Sequence, residues 1–210
     1  MPGDRRDLVF SLSKAHSLLI NLGGLDKTRL ALIKAGIKAA QREGKPWVLD
    51  PVGAGGSPWR SKWANRCLQN QPTLLKGNAA EIRALAGDSA RLAGMDSLDD
   101  SQSAQQASKK LSHRSVTVLV TGAKDLVVSP NQQDVLQGGH PLTPQLTATG
   151  CALGAVGAAC LADLKPHQAG VVAATLFNQA AEMAGPKAQG LGSFTQYFLD
   201  ALGSTTEAQV

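Results

Sequence analysis

The residues best placed to do chemistry stand in four short segments, three of them directly after an apolar run. In Asp50-Pro51-Val52-Gly53-Ala54-Gly55-Gly56 a carboxylate closes such a run, and the glycines after it let backbone come close to a ligand. That carboxylate can act beside a metal-bound phosphate, or it can cap a turn. Lys76-Gly77-Asn78-Ala79-Ala80-Glu81 offers an ammonium for phosphates, an Asn that can cap a helix, and a Glu at the third helical position. The Asn-to-Glu spacing is that of a capping box. A second reading has Glu81 and Asp50 face one crevice and hold Mg²⁺ through water, because Mg²⁺ takes few protein carboxylates and keeps several waters. Thr121-Gly122 closes the run Val116–Val120 with a hydroxyl and a flexible backbone, suited to a nucleotide phosphate.

The fourth segment, Thr147-Ala148-Thr149-Gly150-Cys151, opens a helix of small residues. The first N–H groups of a helix lack partners, and with the helix dipole they make an anion site. Such a site can hold the charge that develops on a transferred phosphoryl group. Cys151 falls in the first turn, where the dipole favours a thiolate that can take a proton from a substrate alcohol. A buried structural cysteine is the competing reading for it.

These segments need elements that bring them together, and the apolar pattern supplies alternating helices and strands. Strands are expected at Ser17–Leu22, Trp47–Leu49, Thr73–Leu75 and Val116–Val120, with a hairpin over Leu126–Val128 and Asp134–Leu136. Helices are expected over Asp4–Ala15, after Asp26 as cap to about Arg42, and over Trp59–Leu68, Asn78–Ala86 and Gln102–Leu111. From Thr149 the chain reads as three helical pieces, broken near Pro166 and over Gly185–Gly192. Asp88–Ser97 is the most loop-like stretch. Strands separated by helices predict βαβ units and a mostly parallel sheet covered on both faces, with ligands at the carboxyl ends of the strands. Asp50, Lys76 and Thr121 are expected just past those ends.

The chain has 210 residues, 43% of them hydrophobic, enough for one sizeable core and one domain over 1–210. Its net charge of +5 comes from scattered Lys and Arg without interleaved aromatics, which argues against nucleic-acid binding and suits anionic nucleotides. Three cysteines without C-x-x-C spacing argue against a disulfide framework or zinc site, and for a cytoplasmic protein. The most apolar stretch, Cys151–Ala162, is far below the roughly 18 residues that read as a membrane span. The four histidines make no pair at metal spacing. His140, in Gly138-Gly139-His140-Pro141, lies near the expected site or is a loop residue. Trp47, Trp59 and Trp63 are expected to pack in the fold.

In sequence order the segments resemble the hydroxyethylthiazole kinases of thiamine salvage, ribokinase-like enzymes. Ile20-Asn21-Leu22-Gly23 looks like the family's "INIGT" strand end. "DPVGAG" at Asp50–Gly55 and "GNAAEI" at Gly77–Ile82 match closely. "VTGAKD" at Val120–Asp125 resembles "ITGEVD". Gly150-Cys151 resembles the end of "TGTGC", and Gly190–Phe194 resembles "GPGSF". Most ribokinase relatives carry Asp where Cys151 stands. The resemblance covers about Met1 to Leu202 and implies a three-layer α/β/α kinase, shortened at its N-terminus by a strand and helix, that forms a homotrimer with sites between subunits. It implies ATP, Mg²⁺, and phosphorylation of the hydroxyl of 5-(2-hydroxyethyl)-4-methylthiazole. Carried over residue by residue, Lys76, Thr121 and Gly150 would contact ATP, Asp50 and Glu81 would organise Mg²⁺, and Cys151 would be the base. Met1 and Ala148 would touch the thiazole.

Several positions depart from the family pattern. Lys76 stands for the usual Arg, so a bidentate phosphate grip becomes a point charge. Ala123 replaces Glu, Leu191 replaces Pro, and Ala148 replaces a Gly. If that Gly serves a positive φ, Ala148 is strained by about 1 kcal/mol or more. Two other functions stay open at this point: a nucleotide- and thiazole-binding remnant with impaired turnover, and a kinase of another small hydroxymethyl heterocycle.

Overall fold

The computed structural model describes residues 4–88, 97–112 and 115–207. Met1 and most of the loop-like stretch Asp88–Ser97 lie outside them. Six strands form one sheet in sequential order: β1 (Leu18–Asn21), β2 (Trp47–Asp50), β3 (Leu74–Asn78), β4 (Thr117–Thr121), β5 (Asp125–Ser129) and β6 (Gln132–Leu136). β1 to β4 are parallel, and β5 and β6 close the sheet as an antiparallel hairpin. The expected mostly parallel sheet is therefore present.

The crossovers explain the layering. Right-handed connections between neighbouring parallel strands that always step the same way place every crossover helix on one face. These are α2 (Lys27–Arg42), α3 (Pro58–Leu68), and α4 (Ala79–Ala86) with α5 (Ser97–Ser112), and α1 (Arg5–Lys14) packs beside α2. The other face is left for α6 (Thr149–Cys160), α7 (Pro166–Ala184) and α8 (Leu191–Glu207). The inner strands β2 to β5 are buried on both faces, and their alternate residues feed two cores. Leu49, Leu75, Val118 and Val120 pack with Ile33, Ile82 and Leu111 on the crossover face. Val48, Leu74, Leu119 and Val127 pack with Leu153, Phe177 and Phe194 on the other. Leu75 is fully buried, and truncating it to Ala would cost about 2–5 kcal/mol.

Local signals agree with the elements. Asp26 accepts the Arg29 N–H at 2.7 Å and starts α2 as expected. Pro166 opens α7, and Gly185 follows its last residue. The edge strand β6, Gln-Gln-Asp-Val-Leu, is mostly exposed and polar, which discourages further pairing. Two expectations need correction. Asp50 and Thr121 are the last residues of β2 and β4, not past them, and Lys76 lies inside β3 because pairing with β4 continues to Asn78 opposite Thr121. Trp47 is buried, but Trp59 is 46% exposed and does not join the core.

Candidate active site

Strand parity builds the site. Val48 and Leu74 point to the α6–α8 face, so Asp50 and Lys76, two residues further on, point the same way. Leu19 and Leu119 also lean on that core, which sends Asn21 and Thr121 to the same side. All four fall at or near the carboxyl ends of parallel strands, below the start of α6.

Asp50 is the hub. It is 1% exposed and lies 3.6 Å from the Lys76 ammonium, itself 4% exposed. Asn21 Nδ2 donates to Asp50 Oδ2 at 2.7 Å, and the nearby Cys151 side chain also helps hold this carboxyl down. Burial pushes the Asp50 carboxyl up from its ordinary range, Lys76 pulls it down, and the nearby charge of Glu81 raises it again. Glu81 completes the capping box: its backbone N–H reaches Asn78 Oδ1 at 2.9 Å, while Glu81 Oε2 accepts the Asn78 N–H at 3.0 Å. Its other oxygen accepts the Gly53 N–H at 2.8 Å and ties α4 to the loop after Asp50. The capping reading of Glu81 and its place beside Asp50 thus hold together. Arg60 braces the same loop through the Val52 and Leu22 carbonyls at 3.0 and 3.2 Å.

The start of α6 sits over these groups. Its first intrahelical bond runs from the Ala152 N–H to the Ala148 carbonyl at 2.9 Å, so the N–H groups of Thr149, Gly150 and Cys151 precede the ladder. A Cβ on Gly150 would stand 2.8 Å from Lys76 Nζ, so the ammonium lies against this glycine. Ala148 has φ 71° and ψ 2°, the left-handed conformation in which L-residues are strained.

Beside this cluster opens a cavity of about 670 Å³, within the usual range for small-molecule sites. Asn78, Thr121, Ala123 and Asp125 line one side, Thr149 and Gly150 the helix start, and Gly138–His140 with Phe177 and Asn178 the far side. Gly150 therefore borders both the cavity and the charged cluster. Asp125 is buried, which pushes its carboxyl up, while the Asn178 amide at 2.9 Å and the Gly122 N–H at 3.2 Å pull it down. A second cavity of about 710 Å³, lined by Thr28, Leu32, Trp63 and Arg66, lies on the crossover face away from these groups.

Of the residues singled out in the sequence, the fold gathers Asp50, Lys76, Glu81, Gly150 and Cys151, and places Thr121 in the adjoining cavity. Ala148 is exposed at the helix start, and Met1 is outside the described residues. Sequence reasoning assigned no role to Asn21, Asp125 or Asn178. The first two stand inside quoted motifs, and Asn21 shares the strand parity of Asp50. Nothing local marks Asn178, in the middle of α7.

Comparison with known proteins places the chain in a family. The Hydroxyethylthiazole kinase family profile matches residues 5–208. The chain is 41% identical over 197 residues to a hydroxyethylthiazole kinase of Rhizobium rhizogenes, covering 92% of this chain and 74% of that one. A hydroxyethylthiazole kinase of a Psychrobacter species is 42% identical over 190 residues, covering 90% and 71%. Among solved structures, a hydroxyethylthiazole kinase protein from Pyrococcus horikoshii superposes with a TM-score of 0.88 at 32% identity, over 96% of this chain and 76% of that one. Pyridoxal kinase from Staphylococcus aureus, at 20% identity, TM-score 0.66 and coverage of 87% and 68%, shares the ribokinase-like fold. By profile, by identity and by fold, the chain belongs to the hydroxyethylthiazole kinase family.

Proposed function

We propose that the protein transfers the γ-phosphoryl group of ATP to the hydroxyl of 5-(2-hydroxyethyl)-4-methylthiazole, in thiamine biosynthesis or salvage. The observation that carries this reading is Gly150: one glycine at a helix N-terminus borders a nucleotide-sized cavity on one side and a buried carboxylate–ammonium–thiol cluster on the other. A phosphoryl group at that junction would meet helix N–H donors and the Lys76 ammonium together.

Each residue then has a task. Thr121 and Lys76 bind the phosphates of ATP from the ends of β4 and β3, and the backbone at Gly150 receives the transferred group. Cys151 takes the proton of the substrate alcohol while the alcohol oxygen bonds to the γ-phosphorus and the bond to ADP breaks. Ala148 and Met1 would touch the thiazole. Asn21 orients Asp50.

Asp50 and Glu81 fit Mg²⁺ held through water. The two carboxylates are buried and the charge of Glu81 raises the Asp50 carboxyl, so a cation beside them would offset that charge. Among the described residues no cluster of three or more His, Cys, Asp or Glu is arranged for direct coordination. Bound there, Mg²⁺ would neutralise charge on the β- and γ-phosphates. The same reading has one ribokinase-like domain over 1–210, working in the cytoplasm as a homotrimer with sites between subunits. Among the described residues no helix is long and apolar enough to cross a membrane.

Two observations favour a second reading, a binding protein with impaired turnover: the anion loop carries a strained Ala148, and Lys76 is already engaged by Asp50. Steady-state kinetics over a panel of hydroxyethylthiazole, hydroxymethylpyrimidine and pyridoxal separates the readings. The proposal expects kcat/KM for the thiazole alcohol to exceed the others by about 100-fold or more, as a shaped polar site allows. Equal turnover of all three, or thiazole binding without turnover, would reject it.

A further inference from the structure

Two sequence motifs, Gly138-Gly139-His140-Pro141 and Gly190-Leu191-Gly192-Ser193-Phe194, take no part in the charged cluster, yet the fold joins them. The first belongs to the connection between β6 and α6, whose regular structure is one 3₁₀ turn at Thr143–Gln145. Its residues Gly138 to Pro144 form the far wall of the 670 Å³ cavity. The wall is held by side chains of α7 and α8. Glu182 Oε1 accepts the Gly139 N–H at 3.0 Å. A Cβ on Gly138 would meet that same oxygen at 2.7 Å, so the backbone lies flat on α7.

His140 is the deepest anchor. Its ring stacks on Phe194 with centroids 5.2 Å apart and 27° between planes. Phe194 is fully buried and continues through Phe198 to Phe177, which returns to the cavity. A Cβ on Gly185 would come within 2.3 Å of the imidazole, so the ring fills the notch this glycine leaves at the end of α7. His140 Nδ1 accepts the Leu142 N–H at 3.3 Å and folds the connection back on itself.

We propose that His140, seated between Phe194 and Gly185, is a positioning residue for ATP: it holds the Gly138–Pro144 wall against which the nucleotide binds. This rests on the reading of the cavity as the nucleotide site. The contacts of the imidazole are to the Leu142 N–H and the Phe194 ring, whereas Asp50, Lys76 and Cys151 stand on β2, β3 and α6. Loss of the ring therefore weakens nucleotide binding and spares the chemical step.

The test uses the full chain, with ADP affinity from titration calorimetry and steady-state kinetics in ATP. His140→Ala should raise the ADP Kd and the ATP KM about tenfold, the size of one aromatic stack and one hydrogen bond lost. At saturating ATP, kcat should stay within about twofold, since the interaction is made equally in ground and transition states. His140→Asn can still accept the Leu142 N–H and should recover about half of the lost binding free energy. Glu182→Ala changes an exposed residue, folds independently of the stack, and should raise the ADP Kd about threefold. Ala123→Trp plugs the cavity from its exposed turn. If Ala123→Trp binds ADP like the parent protein, the cavity is not the nucleotide site and the proposal falls with that reading. If the plug blocks ADP while His140→Ala and Glu182→Ala bind it normally, the cavity reading stands and the role of His140 is rejected. A kcat that falls in step with affinity would also reject it.

Discussion

Ala148 opens α6 with φ 71° and has no side-chain cap bond. An L-residue in this left-handed region pays about 1–2 kcal/mol through the clash of Cβ with its carbonyl. The Ala148→Gly change removes that clash. The greater freedom of Gly in the unfolded chain takes back about 0.5–1 kcal/mol. Ala148 is exposed, so loss of its methyl forfeits little apolar burial. The net gain is about 0.5–1 kcal/mol. In a domain of this size each kcal/mol moves Tm by about 2–4 °C, so a rise of about 1–4 °C is expected. Urea titration and thermal melts of the two proteins measure it. Gln71, exposed and at φ 56°, supplies an internal comparison. If Gln71→Gly stabilises and Ala148→Gly does not, or lowers Tm, the argument for strain at the anion loop is refuted.

Three more outcomes follow from the site. Cys151→Ser should lower kcat by about 100-fold, within the range of a lost general base, and leave ATP affinity nearly intact; equal loss in both would count against the base role. Lys76→Met leaves the buried Asp50 carboxylate without its cation and should cost about 3 kcal/mol of stability at neutral pH. Urea midpoints should show that loss shrinking at acid pH, because protonated Asp50 needs no cation. Asp125 is raised by burial above the ordinary 3.8, so the folded state holds its proton more tightly than the unfolded chain. Stability therefore falls as pH climbs from that ordinary value through the raised one, and the penalty is complete above it. Asp125→Asn, with the Asn178 amide turned over, should gain on the parent at neutral pH and lose the advantage below about pH 4, the ordinary carboxylate range. Parallel pH profiles of the two proteins would contradict this.

The layers and the site were unequally legible in the sequence. Strand runs such as Trp47–Leu49 and Val116–Val120 are apolar on both faces, and only a buried sheet accepts that, so their existence and order followed from composition and period. The end of β3 was hidden because Lys76-Gly77-Asn78 looks like a turn; its strand character comes from pairing with β4, which no local signal encodes. Asn78 and Glu81 were readable because a capping box is local. Asn21 was within reach of parity reasoning, since it and Asp50 are opposed in register at the ends of β1 and β2. Asn178 and the seating of His140 on Phe194 depend on how α7 and α8 lie against the sheet, and such long-range contacts leave no spacing to read.

The central claim is best tested by incubating the 210-residue protein with hydroxyethylthiazole and ATP, with and without Mg²⁺, and following the alcohol by mass spectrometry. The account predicts a product one phosphoryl group heavier, formed only with Mg²⁺ and at a greatly reduced rate in Cys151→Ser. A folded protein that binds ATP and the thiazole but forms no such product under any of these conditions would contradict it.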